Sequence, residues 1–458
     1  MSRVDSATNT SNTSHSSISV RERVGYAMGE VGVSFVWVVL TAFITFFYTD
    51  IVGISALIVG NILAAARILD GFVDLGIGAL VDKTKSGKGK GRPWLIWMCI
   101  PFAILSFLVF TVPDLSPTGV IVYATVTYVL VNIAYSTVFI PYNVMNTTIV
   151  QDPYQRSILT IFRIFFSMTV SVIITSEFIN IVNYFGGDQS SWIKVMAVCC
   201  ILCPIFIFFS YKGTTERVRP SVVHKEIPFK RAFKGLLRNK FWFIMLAVQF
   251  IVAFIVSISN AINLYFAQYV FGDVTIMSAI AISSLLPIVI GMLMVGPVIK
   301  RFGNRNTALS GILIQFVGTI IMAIDPYSLI FLITGLVIKG LGTAPIMATL
   351  PSMMGDTVEY GEWKTGMRTE GLVFSAASVG NKLGAGLGAA AIGWILGFAG
   401  YIGGKEEQTL QAIFAIKSLM IYIPMGLTVI LGILLMMFTV EKKRPLIIAE
   451  LEQLRNQT

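Results

Sequence analysis

An all-α integral membrane protein with twelve transmembrane helices in two pseudo-symmetric bundles of six is the fold class this sequence predicts. Three observations predict it. The first is composition: of 458 residues, 55% are hydrophobic and 13% charged, with a mean hydropathy of +0.79. A soluble domain carries about 25% charged residues. A chain this long with half that share cannot cover a water-facing surface, which excludes a soluble multidomain enzyme and a disordered or fibrous chain. The second is run length. Twelve stretches approach the roughly 20 residues a helix needs to cross a bilayer, too long for the alternating strands of a membrane barrel. The third is spacing: the longest gap, 212–240, is polar and basic and divides the twelve into six and six.

The elements follow in chain order. Residues 1–19 are rich in Ser, Thr and Asn, read as a disordered polar tail, and show no cleavable signal peptide. Span 1 (25–49) carries Tyr26, Glu30, Ser34, Trp37 and Thr41 on one stripe. Span 2 (54–81) holds Arg67, Asp70 and Asp74, and span 3 (94–113) is apolar with Cys99. Span 4 (119–143) aligns Tyr128, Asn132, Tyr135, Phe139 and Asn143, with Asn146 one turn on. Span 5 (158–185) contains Arg163, and span 6 (191–211) contains Cys199, Cys200 and Cys203. Span 7 (241–270) offers Asn260 and Asn263. Span 8 (274–299) ends in Gly296-Pro297-Val298-Ile299-Lys300-Arg301, which parallels Gly78-Ala79-Leu80-Val81-Asp82-Lys83 at the end of span 2, six helices earlier. Span 9 covers 307–324, and span 10 (327–354) holds Lys339. Span 11 (370–400) contains Gly380-Asn381-Lys382-Leu383-Gly384, with Gly371, Ser375, Ser378, Lys382 and Gly386 on one face. Span 12 (410–439) precedes a tail, 440–458. The expected organisation is a bundle over 20–211, a basic loop over 212–240 and a second bundle over 241–439.

The net charge of +10 is a topology signal. The amino tail, the even-to-odd loops, the 212–240 loop and the carboxyl tail hold 27 of the 34 Lys and Arg residues. Loops rich in Lys and Arg stay in the cytoplasm, so both termini are expected there, in the cell membrane of a bacterium, with no nucleic-acid partner. The four cysteines lie in apolar runs and read as core thiols, with no disulfide framework or metal cluster. The two histidines, His15 and His224, fall outside the spans, which removes a histidine proton relay.

Six ionisable residues sit well inside apolar runs: Arg67, Asp70, Asp74, Arg163, Lys339 and Lys382. Each is costly in hydrocarbon and marks a candidate function. Arg67, Asp70 and Asp74 share one helical face at i, i+3 and i+7. Two carboxylates a turn apart repel unless a cation, a proton or a partner lies between them, which points to a coupling-cation site for Na⁺ or H⁺; an interhelical salt-bridge cluster is the alternative. The small residues around Lys382 allow close helix approach, so Lys382 is expected to reach the span 2 carboxylates. Lys339 has no evident partner, and snorkelling or a local salt bridge is expected of it. The stripes of spans 1 and 4 mix aromatic, amide and hydroxyl groups, which suit a sugar: rings stack on its C–H faces and amides bond its hydroxyls. Candidate substrate contacts are Ser34, Trp37, Arg67, Tyr142, Asn143, Arg163, Asn260 and Lys382. No cofactor is implied, and no Ser/His pair or Gly-rich phosphate loop suggests an enzyme.

Three motifs carry a resemblance. The first is Ala66-Arg67-Ile68-Leu69-Asp70-Gly71-Phe72-Val73-Asp74, followed by Val81-Asp82-Lys83-Thr84-Lys85 and Gly91-Arg92-Pro93-Trp94. The second is Ile140-Pro141-Tyr142 with Arg163 downstream. The third is Asp356-Thr357-Val358-Glu359-Tyr360-Gly361-Glu362, then Arg368, Glu370 and Lys382. Over about residues 20 to 440 the chain resembles the glycoside–pentoside–hexuronide:cation symporters of the major facilitator superfamily, whose parallel six-helix halves enclose a midplane site. The resemblance implies that Asp70 and Asp74 match the cation-site carboxylates, that Lys382 is the lysine beside them, and that Arg67 and Arg163 serve the inner cavity. Asp356, Glu359 and Glu362 resemble an inner gating segment in a loop. Melibiose permease carries sugar-binding aspartates at the positions of Ser34 and Phe139 and a tryptophan at that of Asn143, so a melibiose-type grip is not expected. The expectation is a glycoside, pentoside or hexuronide, taken up by a functional monomer with Na⁺ or H⁺. A lysolipid transporter and a non-transporting sugar sensor are the alternatives.

Overall fold

The computed structural model describes residues 18–84, 86–87, 89–150, 152–217, 236–365, 370–441, 446–447, 449–450 and 453. His15, His224, Arg368 and most of the 212–240 loop lie outside these. The described residues form helices and connections, with no strand.

Helix α1 (Val20–Phe46) starts on Ser19, whose hydroxyl accepts the Glu22 amide, and runs on through a π-helical turn, Phe47–Ile51. Helices α2 (Ala56–Lys83), α3 (Arg92–Phe110), α4 (Pro117–Ile149), α5 (Pro153–Tyr184) and α6 (Gln189–Gly213) follow. Proline stands in the first turn of α3 and of α4, where its missing N–H costs nothing. Asp188 caps α6 by accepting the Ser191 amide. Helix α7 (Lys240–Phe266), capped by Asn239, also ends in a π-helical turn, Ala267–Phe271. Helix α8 (Met277–Ile324) is 48 residues long, about 72 Å at 1.5 Å per residue and more than twice a hydrocarbon core. It therefore covers predicted spans 8 and 9, and it breaks at Gly303, whose φ of 78° and ψ of 171° suit a residue without Cβ. Helices α9 (Leu329–Thr365), α10 (Glu370–Phe398), α11 (Leu410–Lys417) and α12 (Ile423–Met437) follow, the last two joined by a π-helical turn, Ser418–Tyr422.

Ten of the helices among the described residues are long and apolar enough to cross a membrane. Their outward faces leave large apolar side chains exposed, such as Trp97, Ile100 and Ile104 on α3 and Leu293 and Met294 on α8. In water such a surface would be untenable; against lipid it is the expected outer face. Helix α1 packs on α5 and α6, α3 on α4 and α6, and α2 on α4; α9 packs on α8, and α7 on α10 and α12. Between the first six helices and the rest, α2 meets α10, α5 meets α8 and α1 meets α7. The α2–α10 approach is made by glycine: a Cβ on Gly393 would lie 2.7 Å from the Cα of Gly60.

Several helices outrun the hydropathy that predicted them. Helix α9 continues to Thr365, so Asp356, Glu359 and Glu362 lie on a helix, where a loop was expected. Its polar end is held by packing: Tyr360 meets Phe241 edge-on at 4.8 Å, and Asn239 donates through Nδ2 to the Thr357 carbonyl at 2.9 Å. Hydropathy marks where lipid ends, whereas i→i−4 bonding continues as long as residues permit it.

The short repeat seen in sequence has a structural counterpart. After α6, Glu216 accepts the backbone amides of Lys90, Gly91 and Arg92 at 2.8–2.9 Å, and Arg92 donates to the Tyr211 carbonyl at 2.7 Å. After α12, Glu441 accepts the amides of Asn304 and Arg305 at 2.7 and 2.8 Å, and Arg305 donates to the carbonyls of Leu435 and Met436 at 3.0 and 2.7 Å. One carboxylate thus satisfies orphan amides at a helix start twice in the chain.

Candidate functional site

The face spacing on α2 brings Arg67, Asp70 and Asp74 together. Asp70 is 5% exposed; Arg67 Nη1 lies 3.6 Å from its Oδ2, and Ser136 of α4 donates to its Oδ1 at 3.1 Å. Lys382, reaching across from α10, pairs with Asp74. The Lys382 side chain is 42% exposed, so this pair opens onto accessible space. The other Asp74 oxygen, Oδ1, is buried and has no hydrogen-bond partner among the described residues. Gly386 on α10 leaves room for the Arg67 stem that a Cβ would fill. The Arg67 guanidinium stands 5.5 Å over the Trp37 ring, and Trp37 stacks on Tyr135, which stacks on Phe139. Four helices, α1, α2, α4 and α10, thus converge on one ionic and aromatic cluster.

A second cluster lies between α1, α4 and α5. Arg163 Nη1 donates to Asn143 Oδ1 at 2.5 Å, and its Nε is 3.8 Å from Glu30 Oε2, an ion pair too long for a hydrogen bond. The expected sugar contact Tyr142 is corrected by its placement. It is 0% exposed, stacks on Tyr26 at 4.7 Å and donates its hydroxyl to the Tyr26 carbonyl at 2.7 Å, so it serves the α1–α4 contact. Ser34 bonds Ser167 of α5 at 3.2 Å. Much of the amide stripe of α4 is also turned to helix contacts: Asn132 donates to its own helix at 2.7 Å and Asn146 to Thr160 at 2.9 Å.

A cavity of about 220 Å³ lies between the two sets of helices, with Thr41 of α1 and Ser171 and Thr175 of α5 on one side and Asn260 and Asn263 of α7 on the other. Of the candidate substrate contacts, Asn260 lines it. So does Lys339 of α9, which is 8% exposed and donates to Ser259 Oγ at 3.0 Å. The snorkelling expected of Lys339 is thereby corrected: its head is turned inward, away from either surface. All four cysteines are free and buried, and among the described residues no group of three His, Cys, Asp or Glu side chains could hold a metal ion.

With this geometry in view, comparison with known proteins decides the family. Residues 25–441 match the family described as MFS/sugar transport protein. The chain belongs to this family, as a symporter of the glycoside–pentoside–hexuronide:cation type. It is 33% identical to the isoprimeverose transporter of Lactiplantibacillus pentosus over 94% of this chain and 91% of that one. It is 31% identical to a putative glycoside/cation symporter of Escherichia coli over 93% of each chain, and 29% identical to a glucuronide carrier protein homolog of that organism over 93% of this chain and 94% of the other. Among solved structures, a bacterial homolog of the human lysosomal transporter Spinster, in an inward-facing conformation, superposes with a TM-score of 0.64 at 14% identity, over 92% of this chain and 96% of that one. The nucleoside transporter NupG does so at 0.60 and 13%, over 91% and 98%. These two share the fold.

In this sugar transport protein, sequence reasoning missed a clasp at the end of the molecule away from the basic loops. Asp50, in the π-helical turn after α1, accepts from Tyr401 at 2.6 and 2.7 Å, from Thr49 at 2.5 Å, from the Gly404 amide at 3.2 Å and from Tyr269 in the π-helical turn after α7. Thr49 also bonds the Tyr265 hydroxyl at 2.7 Å. Nearby, Asn180 of α5 bonds Ser278 of α8 at 2.9 Å. Asp50 falls where span 1 ends, so hydropathy reads it as a loop acid. The one available signal was a carboxylate and two tyrosines, each closing an apolar run.

Proposed function

We propose that this protein takes up a glycoside, a pentoside or hexuronide, with Na⁺ or H⁺ by alternating access between two six-helix bundles. The observation that carries the reading is the Lys382–Asp74 pair beside Arg67–Asp70, which joins α10 to α2 across the two halves. A coupling cation arriving at Asp74 competes with Lys382 for the same carboxylate. Its binding releases Lys382 and loosens the α2–α10 contact; its departure restores the pair. Only such a difference in affinity between states couples ion to sugar. Sugar occupies the cavity between α1, α5, α7 and α9, and Asp356, Glu359 and Glu362 act at the inner end of α9.

In this reading the basic loops and both termini face the cytoplasm of a bacterial cell. The Asp50 clasp and the Asn180–Ser278 bond then close the outer side, and the state is inward-facing. The functional unit is the monomer in its bilayer, and no covalent chemistry or cofactor is involved. The test is accumulation of radiolabelled glycoside by proteoliposomes under imposed Na⁺ or H⁺ gradients. Full gradient-driven accumulation by both Asp70→Asn and Asp74→Asn overturns the cation-site reading.

A further inference from the structure

Four basic side chains, Arg67, Arg163, Lys339 and Lys382, sit well inside the apolar runs, and three of them have an acid. Arg67 faces Asp70, Arg163 faces Glu30 and Lys382 faces Asp74. Lys339 stands apart: among the described residues no carboxylate lies within ion-pair distance, and its partner is the neutral hydroxyl of Ser259. Among the described residues no Asp or Glu lines the cavity beside it; the other polar lining is Thr, Ser, Asn and Gln, including Asn260, Asn263, Gln315 and Thr343. An ammonium has three protons to donate, and a lysine held this far from water is costly unless something compensates its charge. Packing does not explain the residue either, since an apolar side chain of equal length would fill the same space without that cost.

We infer that Lys339 is the receptor for an anionic substituent of the sugar, a carboxylate or a sulfonate, so that this cavity takes an acidic glycoside in preference to a neutral one. The inference rests on the sugar-transport reading above and narrows it. The anion completes the ion pair that the protein itself leaves open, and Ser259 orients the ammonium towards it. Asn260, next to Ser259, and Asn263, one helical turn beyond Ser259, line the same cavity and remain for the ring hydroxyls. Hydrogen bonds to charged groups contribute more than neutral ones, enough for roughly a ten- to hundredfold difference in affinity. The same site penalises a neutral sugar, because that sugar leaves the ammonium uncompensated.

The experiment measures binding of four probes to the purified full-length protein by calorimetry: methyl glucuronide, methyl sulfoquinovoside, methyl glucoside and methyl xyloside. One or both acidic probes are expected to bind roughly ten- to a hundredfold tighter than methyl glucoside, and whichever does identifies the anion. Lys339→Gln is expected to erase that gap, chiefly by weakening the acidic probes, and Lys339→Arg to restore part of it. A purely structural lysine would lower all four affinities together and leave their ratio unchanged. Equal or tighter binding of the neutral probes by the wild-type protein overturns the inference, as does a charge preference that survives Lys339→Gln. If Lys339→Gln does not fold, the wild-type ratio decides alone. Binding of neutral glycosides without charge preference sinks this inference and leaves sugar transport standing, whereas absence of binding by any glycoside sinks both.

Discussion

The α2–α10 cluster and the Lys339 cavity put the same kind of residue to opposite uses. At α2 and α10, two cations meet two carboxylates within the protein, and an incoming charge must displace one of them. At α9, one cation meets a hydroxyl, and an incoming anion displaces nothing. A closed set of charges is suited to exchange, because binding a new ion frees an old one and moves a helix contact. An open charge is suited to recognition, because it gains from the ligand without rearrangement. The difference teaches that the number of intramembrane charges says less about mechanism than whether each is already paired.

Four measurements break or sharpen this contrast. The largest effect is expected from Asp74→Asn. With coupling free energies of about 1–3 kcal/mol, gradient-driven accumulation should fall about five- to 150-fold while equilibrium sugar binding persists. Loss of binding together with accumulation would merge the two sites into one and end the contrast. Lys382→Gln should come next. It leaves Asp74 without its partner, so thermal stability drops, and the double variant Asp74→Asn/Lys382→Gln should recover most of that loss, since breaking one side of a pair costs more than removing both. Additive losses in the melting temperatures would show that the pair is not energetically joined.

Smaller again is Ser259→Ala. Removing one neutral partner from the Lys339 ammonium should cost about 0.5–1.5 kcal/mol of acidic-sugar affinity, roughly two- to twelvefold in Kd, with no change in ion coupling. A changed coupling ratio would mean that the cavity and the ionic cluster are not separable. Tyr401→Phe is the smallest and serves as a control far from both. It removes one donor to Asp50 while Tyr269, Thr49 and Gly404 remain. A modest shift towards the state open at that end is expected, read by labelling of a cysteine introduced near the clasp, with acidic-sugar affinity within about twofold. A larger effect on affinity than that of Ser259→Ala would place the recognition chemistry at the clasp.

Much of the α2–α10 cluster was legible in the sequence, because a helix repeats by a fixed rule. Three charges at i, i+3 and i+7 must share a face, and a glycine-rich partner helix can come close enough for its lysine to reach them. The Lys339 site was half legible. Its rarity in an apolar run marked it, but snorkelling and inward burial look alike from one helix, and only the position of α7 and Ser259 distinguishes them. Tyr142 misled for the same reason: an aromatic beside Asn143 and Arg163 reads as a sugar platform until Tyr26 is seen to occupy its face. The acids from Asp356 to Glu362 misled because hydropathy stops before the helix does.

What the sequence determined by itself is therefore the part governed by local rules: the membrane class from composition, the spans from transfer free energy, the basic-loop bias and the shared face of Arg67, Asp70 and Asp74. The tertiary structure decided which charges are satisfied. It closed Asp74 with a lysine about 300 residues away in sequence, tied Asp50 to two tyrosines from distant helix ends, repeated the Glu216 brace at Glu441, and left Lys339 on a neutral hydroxyl, facing a cavity that no acid lines among the described residues. Pairing across helices depends on contacts between segments far apart in the chain, and no periodicity within a single segment encodes them.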